Sequence, residues 1–203
     1  LIVAGCGIHV AKHGNKAVSS KSGAADVLLE LGINLDCAFE TIEAAIKDAY
    51  IGFLMAPRHH PALRHVGPIR AELGIRTIFN LLGPLSNPAL ARKALIGVYD
   101  AKWCQPFAEA LKILGISDAW VVHGDGGLDE VALSGPTIIH ALSAGTITNF
   151  AISPADFGVN TAPLESIKGG DAVYNAAKLR LLLEGEKSAY RTISCINAAA
   201  ALV

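Results

Sequence analysis

This chain has little charge, no paired cysteines and no long apolar run, and each shortage excludes a class of protein. Lys, Arg, Asp and Glu make up 17% of the 203 residues and the formal net charge is −1. With an isoelectric point near 6.7, no global field favours nucleic acid or an anionic membrane. The four cysteines, Cys6, Cys37, Cys104 and Cys195, stand apart with no Cys-x-x-Cys pair. That spacing excludes a disulfide framework and predicts buried, reduced thiols of a cytosolic protein. No apolar stretch reaches the length of a membrane span. Residues 1–10 lack a basic lead, so no secretory signal is expected and the protein is read as soluble and cytoplasmic. Gly5-x-Gly7 lacks the third glycine and the following helix of a dinucleotide fingerprint. Internal repeats and low-complexity tracts are also missing.

What is present is 52% hydrophobic residues and 20 glycines, with mean hydropathy +0.42. This balance suits an α/β protein whose buried strands are covered by helices. The length allows a single domain with a sizeable core. The pattern predicts a strand over 1–10, a helix over 22–31 capped by Ser22 and stopped by Gly32, a helix over 36–50 and a strand over 51–55. Pro61 and Pro68 fit the first turns of short helical pieces, the second over 68–73. Gly83-Pro84 and Asn87-Pro88 mark a loop. A strand over 95–99, a helix over 103–114 and a strand over 119–123 complete a β-α-β-α-β alternation, which argues for a mostly parallel sheet. Short strands over 130–133, 137–142 and 146–152 read as an antiparallel edge. Two helices close the chain, the first running from Gly169-Gly170-Asp171 to about residue 184. Both ends are apolar without caps, so one α/β domain over 1–203, truncated at both ends, is expected.

The chemistry concentrates in residues 12–26, Lys12-His13-Gly14-Asn15-Lys16-Ala17-Val18-Ser19-Ser20-Lys21-Ser22-Gly23-Ala24-Ala25-Asp26. A cationic, donor-rich loop opening onto a helix start suits an anion bearing phosphate groups. On chemistry alone, a solvated lysine loop competes closely. Asp129-Glu130 follows the glycine-rich Gly124-Asp125-Gly126-Gly127. Two adjacent carboxylates can hold Mg²⁺ beside a substrate phosphate, and a solvated acidic turn is the other reading. Arg70, after Gly67-Pro68, has a fork suited to a carboxylate, although a surface ion pair is open to any lone arginine. His13 and His60 are either pocket residues or packed side chains.

The details of these segments resemble one family. Lys12-His13-Gly14-Asn15, then Ala17 through Gly23, then Ala25-Asp26-Val27-Leu28, resemble a signature of anthranilate phosphoribosyltransferases. Phe53 through Ala62, Val66 through Gly74, Arg76 through Pro88 and Val122 through Glu130 resemble further blocks of the family in the same order. The resemblance implies an α/β fold with a mostly parallel central sheet, an antiparallel edge and flanking helices. It implies transfer of the phosphoribosyl group from phosphoribosyl pyrophosphate to the amine of anthranilate, with release of pyrophosphate, in tryptophan biosynthesis. It places anthranilate against Asn15, Arg70, His13 and His60. It places the donor against Lys12, His13, Gly14, Asn15, Lys16, Ala17, Val18, Ser19, Ser20 and Ala24, and Mg²⁺ on Asp129 and Glu130.

No general base is assigned. The family's Gly-Thr-Gly-Gly-Asp loop and helical N-terminal domain would precede Leu1. That domain makes the usual homodimer contact, so residues 1–203 alone are expected to be inactive. Lys16 stands where the family commonly has arginine, which keeps the charge and loses the fork. Two alternatives share the fold: a non-catalytic paralogue that binds nucleic acid, and a pyrimidine nucleoside phosphorylase. The intact Asp129-Glu130 pair and the isoelectric point argue against the first. Lys-His-Gly-Asn and Arg70 argue against the second.

Overall fold

The computed structural model describes residues 1–17, 21–66, 69, 72 and 77–203. Of the expected helix over 68–73, only Ile69 and Glu72 are among the described residues. The chain divides into two compact units. The first holds Leu1, Val3–Leu90 and Gly169–Leu181, and the second holds Ile2, Ala91–Lys168 and Leu182–Val203. The elements are mixed α/β, with parallel pairing, an antiparallel edge and surrounding helices, as the alternation predicts.

In the first unit, helix α1 (Ile2–Gly5) precedes strand β1 (Val10–Gly14). The strand expected over 1–10 is therefore displaced, and Lys12-His13-Gly14 is strand where the polar sequence suggested loop. The cause is pairing: β1 runs parallel to β2 (Ile51–Met55), with His13 opposite Leu54 and Gly14 opposite Met55. Between them lie α2 (Ala24–Glu30) and α3 (Phe39–Ala49). Helix α2 is capped by Gly23 rather than Ser22, and Gly32 stops it with a left-handed φ of 83°. Helix α4 (Ala56–His59) leaves β2 directly, and a 3₁₀ turn spans Pro61–His65. Gly83-Pro84, expected as loop, falls inside α5 (Phe79–Leu85). Pro84 lies inside this short helix and withholds the N–H that would bond one turn back.

The second unit has a four-stranded sheet in the order β3-β4-β5-β6, formed by Lys93–Gly97, Asp118–Gly124, Thr137–Ser143 and Thr146–Ile152. The β3–β4 pair is parallel and the next two pairs are antiparallel. Helix α6 (Cys104–Ile113) connects β3 to β4. Helix α7 (Ala172–Leu183) spans the boundary between the units, and α8 (Ala189–Leu202) completes the second. Its core gathers Val122, Val131, Leu133, Ile139, Ile193 and Ile196, all under 5% exposed.

Residues 130–133 are not a strand. They form an irregular segment, buried from Val131 to Leu133, whose backbone groups pair with side chains: Val131 with Asn197, and Ala132 N–H with Thr137 Oγ1. All four cysteines are unbonded, but only Cys104 is buried, while Cys6 and Cys195 are exposed. The expectation of buried thiols therefore fails at those two positions. Among the described residues, no helix is long and apolar enough to cross a membrane.

Candidate functional site

Parallel pairing fixes where chemistry can gather, because both strands of a parallel pair end at one edge and ligands of open α/β sheets bind beyond that edge. In the first unit the edge is Gly14 and Met55. From it leave Asn15-Lys16-Ala17 on one strand and α4 with His59 and His60 on the other. Lys12, Asn15 and Lys16 are exposed, and Gly14 and Ala17 are half-buried. Asn15 Oδ1 accepts from its neighbour's backbone, Lys16 N–H, at 2.8 Å, leaving the carboxamide N–H groups to donate.

Asp26, which carries no role in the sequence reading, ties this segment. One carboxylate oxygen of Asp26 accepts from Ala17 N–H at 2.9 Å and from Gly23 N–H at 2.8 Å. This is the acidic half of a capping box, extended to tie both ends of residues 17–23. These two bonds hold the Asp26 carboxyl below the usual carboxylate range. Gly23 is required by proximity: a Cβ there would lie 2.9 Å from Ala17 N and 3.2 Å from Asn15 O. Asn175 on α7 adds a second tie. Its Nδ2 donates to Ser22 Oγ at 2.7 Å and to Gly170 O at 3.1 Å, while Oδ1 accepts from Gly170 N–H at 2.9 Å. Val18, Ser19 and Ser20 lie outside the described residues. Ala24 is the exposed first residue of α2.

The histidines do come together. The His13 and His60 rings meet edge to face at 5.0 Å between centroids, and His59 lies against Phe39 at 4.9 Å. The Nε2 atoms of His13, His59 and His60 are buried without a hydrogen-bond partner among the described residues. A buried polar atom without a partner is costly, so these three nitrogens mark a place suited to a polar ligand. Burial pushes the His13 imidazole below its ordinary value. His60, His59 and Lys12 add to the shift, while a hydrogen bond to the Gly83 backbone opposes it. His59 is lowered by burial, then by Arg58 and His60. In both, the shift favours the neutral imidazole. Arg58 braces this corner, donating to Leu35 O at 3.2 Å and Cys37 O at 2.5 Å, with its guanidinium 4.9 Å from the Phe39 ring centre. Arg70 lies outside the described residues.

In the second unit the corresponding edge is Gly97 of β3 and Gly124 of β4. The Asp129-Glu130 backbone is pressed against both. A Cβ on Gly97 would overlap the Asp129 carbonyl, and one on Gly124 would overlap the Glu130 carbonyl oxygen. Only glycine allows this approach, and it seats the acidic pair at the edge where β3 and β4 end. Asp129 is exposed and Glu130 half-buried. Among the described residues no group of three His, Cys, Asp or Glu side chains is gathered. The donor set is thus two hard carboxylates, which fits Mg²⁺, an ion that keeps waters and completes its shell with substrate phosphate. Gly97 escaped the sequence reading, and Gly124 entered it only as part of the glycine-rich run before Asp129-Glu130.

The glycosyl transferase family a/b domain model matches residues 1–203. The chain belongs to this glycosyl transferase family. Among curated relatives, the anthranilate phosphoribosyltransferase of Rhizobium etli is 58% identical over 203 residues, covering 100% of this chain. The crystal structure of anthranilate phosphoribosyltransferase from Thermus thermophilus superposes with a TM-score of 0.92 at 45% identity, covering 99% of this chain and 60% of that one. The enzyme from Saccharomyces cerevisiae in complex with PRPP and Mg gives 0.85 at 30% identity, covering 98% of this chain and 57% of that one. The chain spans about 60% of the length of the curated relatives it matches.

Proposed function

We propose that the protein of which these residues are part transfers the phosphoribosyl group from phosphoribosyl pyrophosphate to anthranilate, giving N-(5-phosphoribosyl)anthranilate and pyrophosphate in tryptophan biosynthesis. The observation that carries this reading is the Lys12-His13-Gly14-Asn15 run ending a parallel strand and feeding a loop tied at both ends by Asp26. The relatives' names agree with it.

In this reading Lys12, His13, Gly14, Asn15, Lys16, Ala17, Val18, Ser19 and Ser20, with the backbone near Ala24, bind the donor. Cations and N–H groups stabilise the charge that grows on pyrophosphate as the C1–O bond breaks. Asn15 orients the amine or carboxylate of anthranilate, Arg70 grips the carboxylate, and His13 and His60 line its place. A neutral His13 offers a dipole without repelling a positively charged sugar carbon. The amine lone pair forms the C1–N bond while the C1–O pair leaves with pyrophosphate, and the amine's proton then passes to solvent. Positioning does most of the work, and no strong base is needed. Asp129 and Glu130 hold Mg²⁺, which when bound neutralises phosphate charge. The same reading makes residues 1–203 one α/β domain of a cytoplasmic homodimer with no nucleic-acid partner.

The test uses the full-length protein and follows the loss of anthranilate fluorescence. Loss that requires both phosphoribosyl pyrophosphate and Mg²⁺ supports the proposal. No loss, together with phosphate-dependent cleavage of a pyrimidine nucleoside, would replace it with the nucleoside phosphorylase reading.

A further inference from the structure

Asn197 sits in the middle of α8, in an otherwise apolar run, Ile196-Asn197-Ala198-Ala199-Ala200. A carboxamide there needs an explanation, and its bonds supply one. Its Oδ1 accepts from Val131 N–H at 2.8 Å and its Nδ2 donates to Val131 O at 2.9 Å. The second Nδ2 hydrogen reaches Ile193 O, one turn back, at 3.0 Å. Both hydrogens and the oxygen are engaged, so the amide has one orientation. Asn197 therefore does for Val131 what a neighbouring strand would do. This is how the Val131 backbone is satisfied while buried outside any strand.

The consequence lies two residues upstream. Leu128 is fixed by a bridge to Gly124, with Gly124 N–H donating to Leu128 O at 2.8 Å. Val131 is fixed by Asn197. Asp129 and Glu130 are the only residues between these two anchors, and Gly97 and Gly124 press on their carbonyls from below. We propose that Asn197 is a positioning residue for the Asp129-Glu130 carboxylates, holding the downstream end of the acidic turn in register for a divalent cation. This rests on the metal role proposed above. Outer partners that orient metal ligands typically change affinity by about 10–100-fold when removed.

The variants are Asn197→Ala, which removes every bond, and Asn197→Asp, which keeps the shape and the acceptor but cannot donate to Val131 O or Ile193 O. In the full-length protein, Mn²⁺ is titrated by electron paramagnetic resonance with phosphoribosyl pyrophosphate present, and hydrogen exchange is followed in the peptide 128–133. Both variants should weaken Mn²⁺ binding by about 10–100-fold, and exchange should quicken in 128–133 while β4 and β5 stay protected. The KM for anthranilate should remain within about twofold, as a loss confined to metal affinity requires.

Faster local exchange with Mn²⁺ affinity within about twofold of the unsubstituted protein would overturn the positioning role and leave Asn197 purely structural. Loss of protection throughout β4 and β5 would overturn it as well, in favour of global destabilisation. If the unsubstituted protein binds no Mn²⁺, the metal reading itself falls and the inference with it. That failure is recognisable because it precedes any substitution.

Discussion

Replacing Gly97 with alanine probes the seating of the acidic pair more sharply than removing either carboxylate. The new methyl would overlap the Asp129 carbonyl carbon and oxygen outright and lie 2.9 Å from Asp129 Cα. Ordinary carbon–carbon contact is about 3.5 Å. Clearing Cα takes a shift of about 0.6 Å, the difference of those distances, and clearing the carbonyl takes more than about 1 Å. The obstacle is backbone on both sides, β3 and the 128–131 turn, so no flexible side chain can yield. Overpacking of this kind costs about 1–3 kcal/mol, which lowers the melting temperature by about 2–4 °C per kcal/mol at this chain size.

Function should suffer far more than stability, since a misplacement of about 1 Å can cost about 100-fold in rate. Gly97→Ala in the full-length protein should stay folded by circular dichroism, lose about 100-fold in kcat/KM and need more Mg²⁺ for half-maximal rate. Gly5→Ala is the control, because a Cβ there meets nothing within 4 Å. A Gly97→Ala protein within about threefold of the unsubstituted one, at the same Mg²⁺ midpoint, would refute this account of how the turn is placed.

Other expectations follow from the first unit. Asp26→Asn removes the charge from both loop-closing bonds and should raise the KM for the phosphoribosyl donor by roughly tenfold, read from initial rates at saturating anthranilate. Because its folded value is depressed, the Asp26 contribution is fully present above the ordinary carboxylate value near 3.8 and is lost as pH falls through the lower folded value. Acid titration followed by hydrogen exchange in the Ala17–Gly23 region should show opening only below about pH 4. His13 should titrate below the ordinary 6.5 in a proton NMR series, and His60→Ala should raise that midpoint by removing the second-largest cause of the shift. An unchanged midpoint would mean that burial alone sets it. Since the His13 value is lowered, its contribution to stability is complete above pH 6.5 and declines as pH falls through the folded value. Asn175→Leu breaks three bonds that tie Ser22 and Gly170 and should cost about 1–3 kcal/mol, measured by urea denaturation.

Residues whose types suit a site stand out in the sequence; the residues that hold them in place do not. Lys12, His13, Asn15, Asp129 and Glu130 announce themselves by type and by company, and the alternation of elements is enough to predict a mixed α/β fold. Asn197 acts on a residue 66 positions away, and Asn175 on Ser22, 153 positions away. Local pattern cannot show such partnerships. The misread elements have the same origin. Lys12-His13-Gly14 looks like loop until β2 lies beside it. Residues 130–133 look like strand because they are apolar, yet the groups that satisfy their backbone are an asparagine, a threonine and a loop amide at Ala162. Ser22 is the better cap by residue preference, but its hydroxyl is engaged with Asn175 and Gly170, and Gly23 takes the cap where backbone crowding leaves no room for a Cβ.

Phosphorus NMR of the full-length protein with donor, anthranilate and Mg²⁺ follows phosphoribosyl transfer itself. Transfer requires one pyrophosphate and one new phosphate monoester for each anthranilate consumed, and no pyrophosphate when anthranilate is omitted. Pyrophosphate released equally without anthranilate, or a donor signal unchanged in its presence, would contradict it.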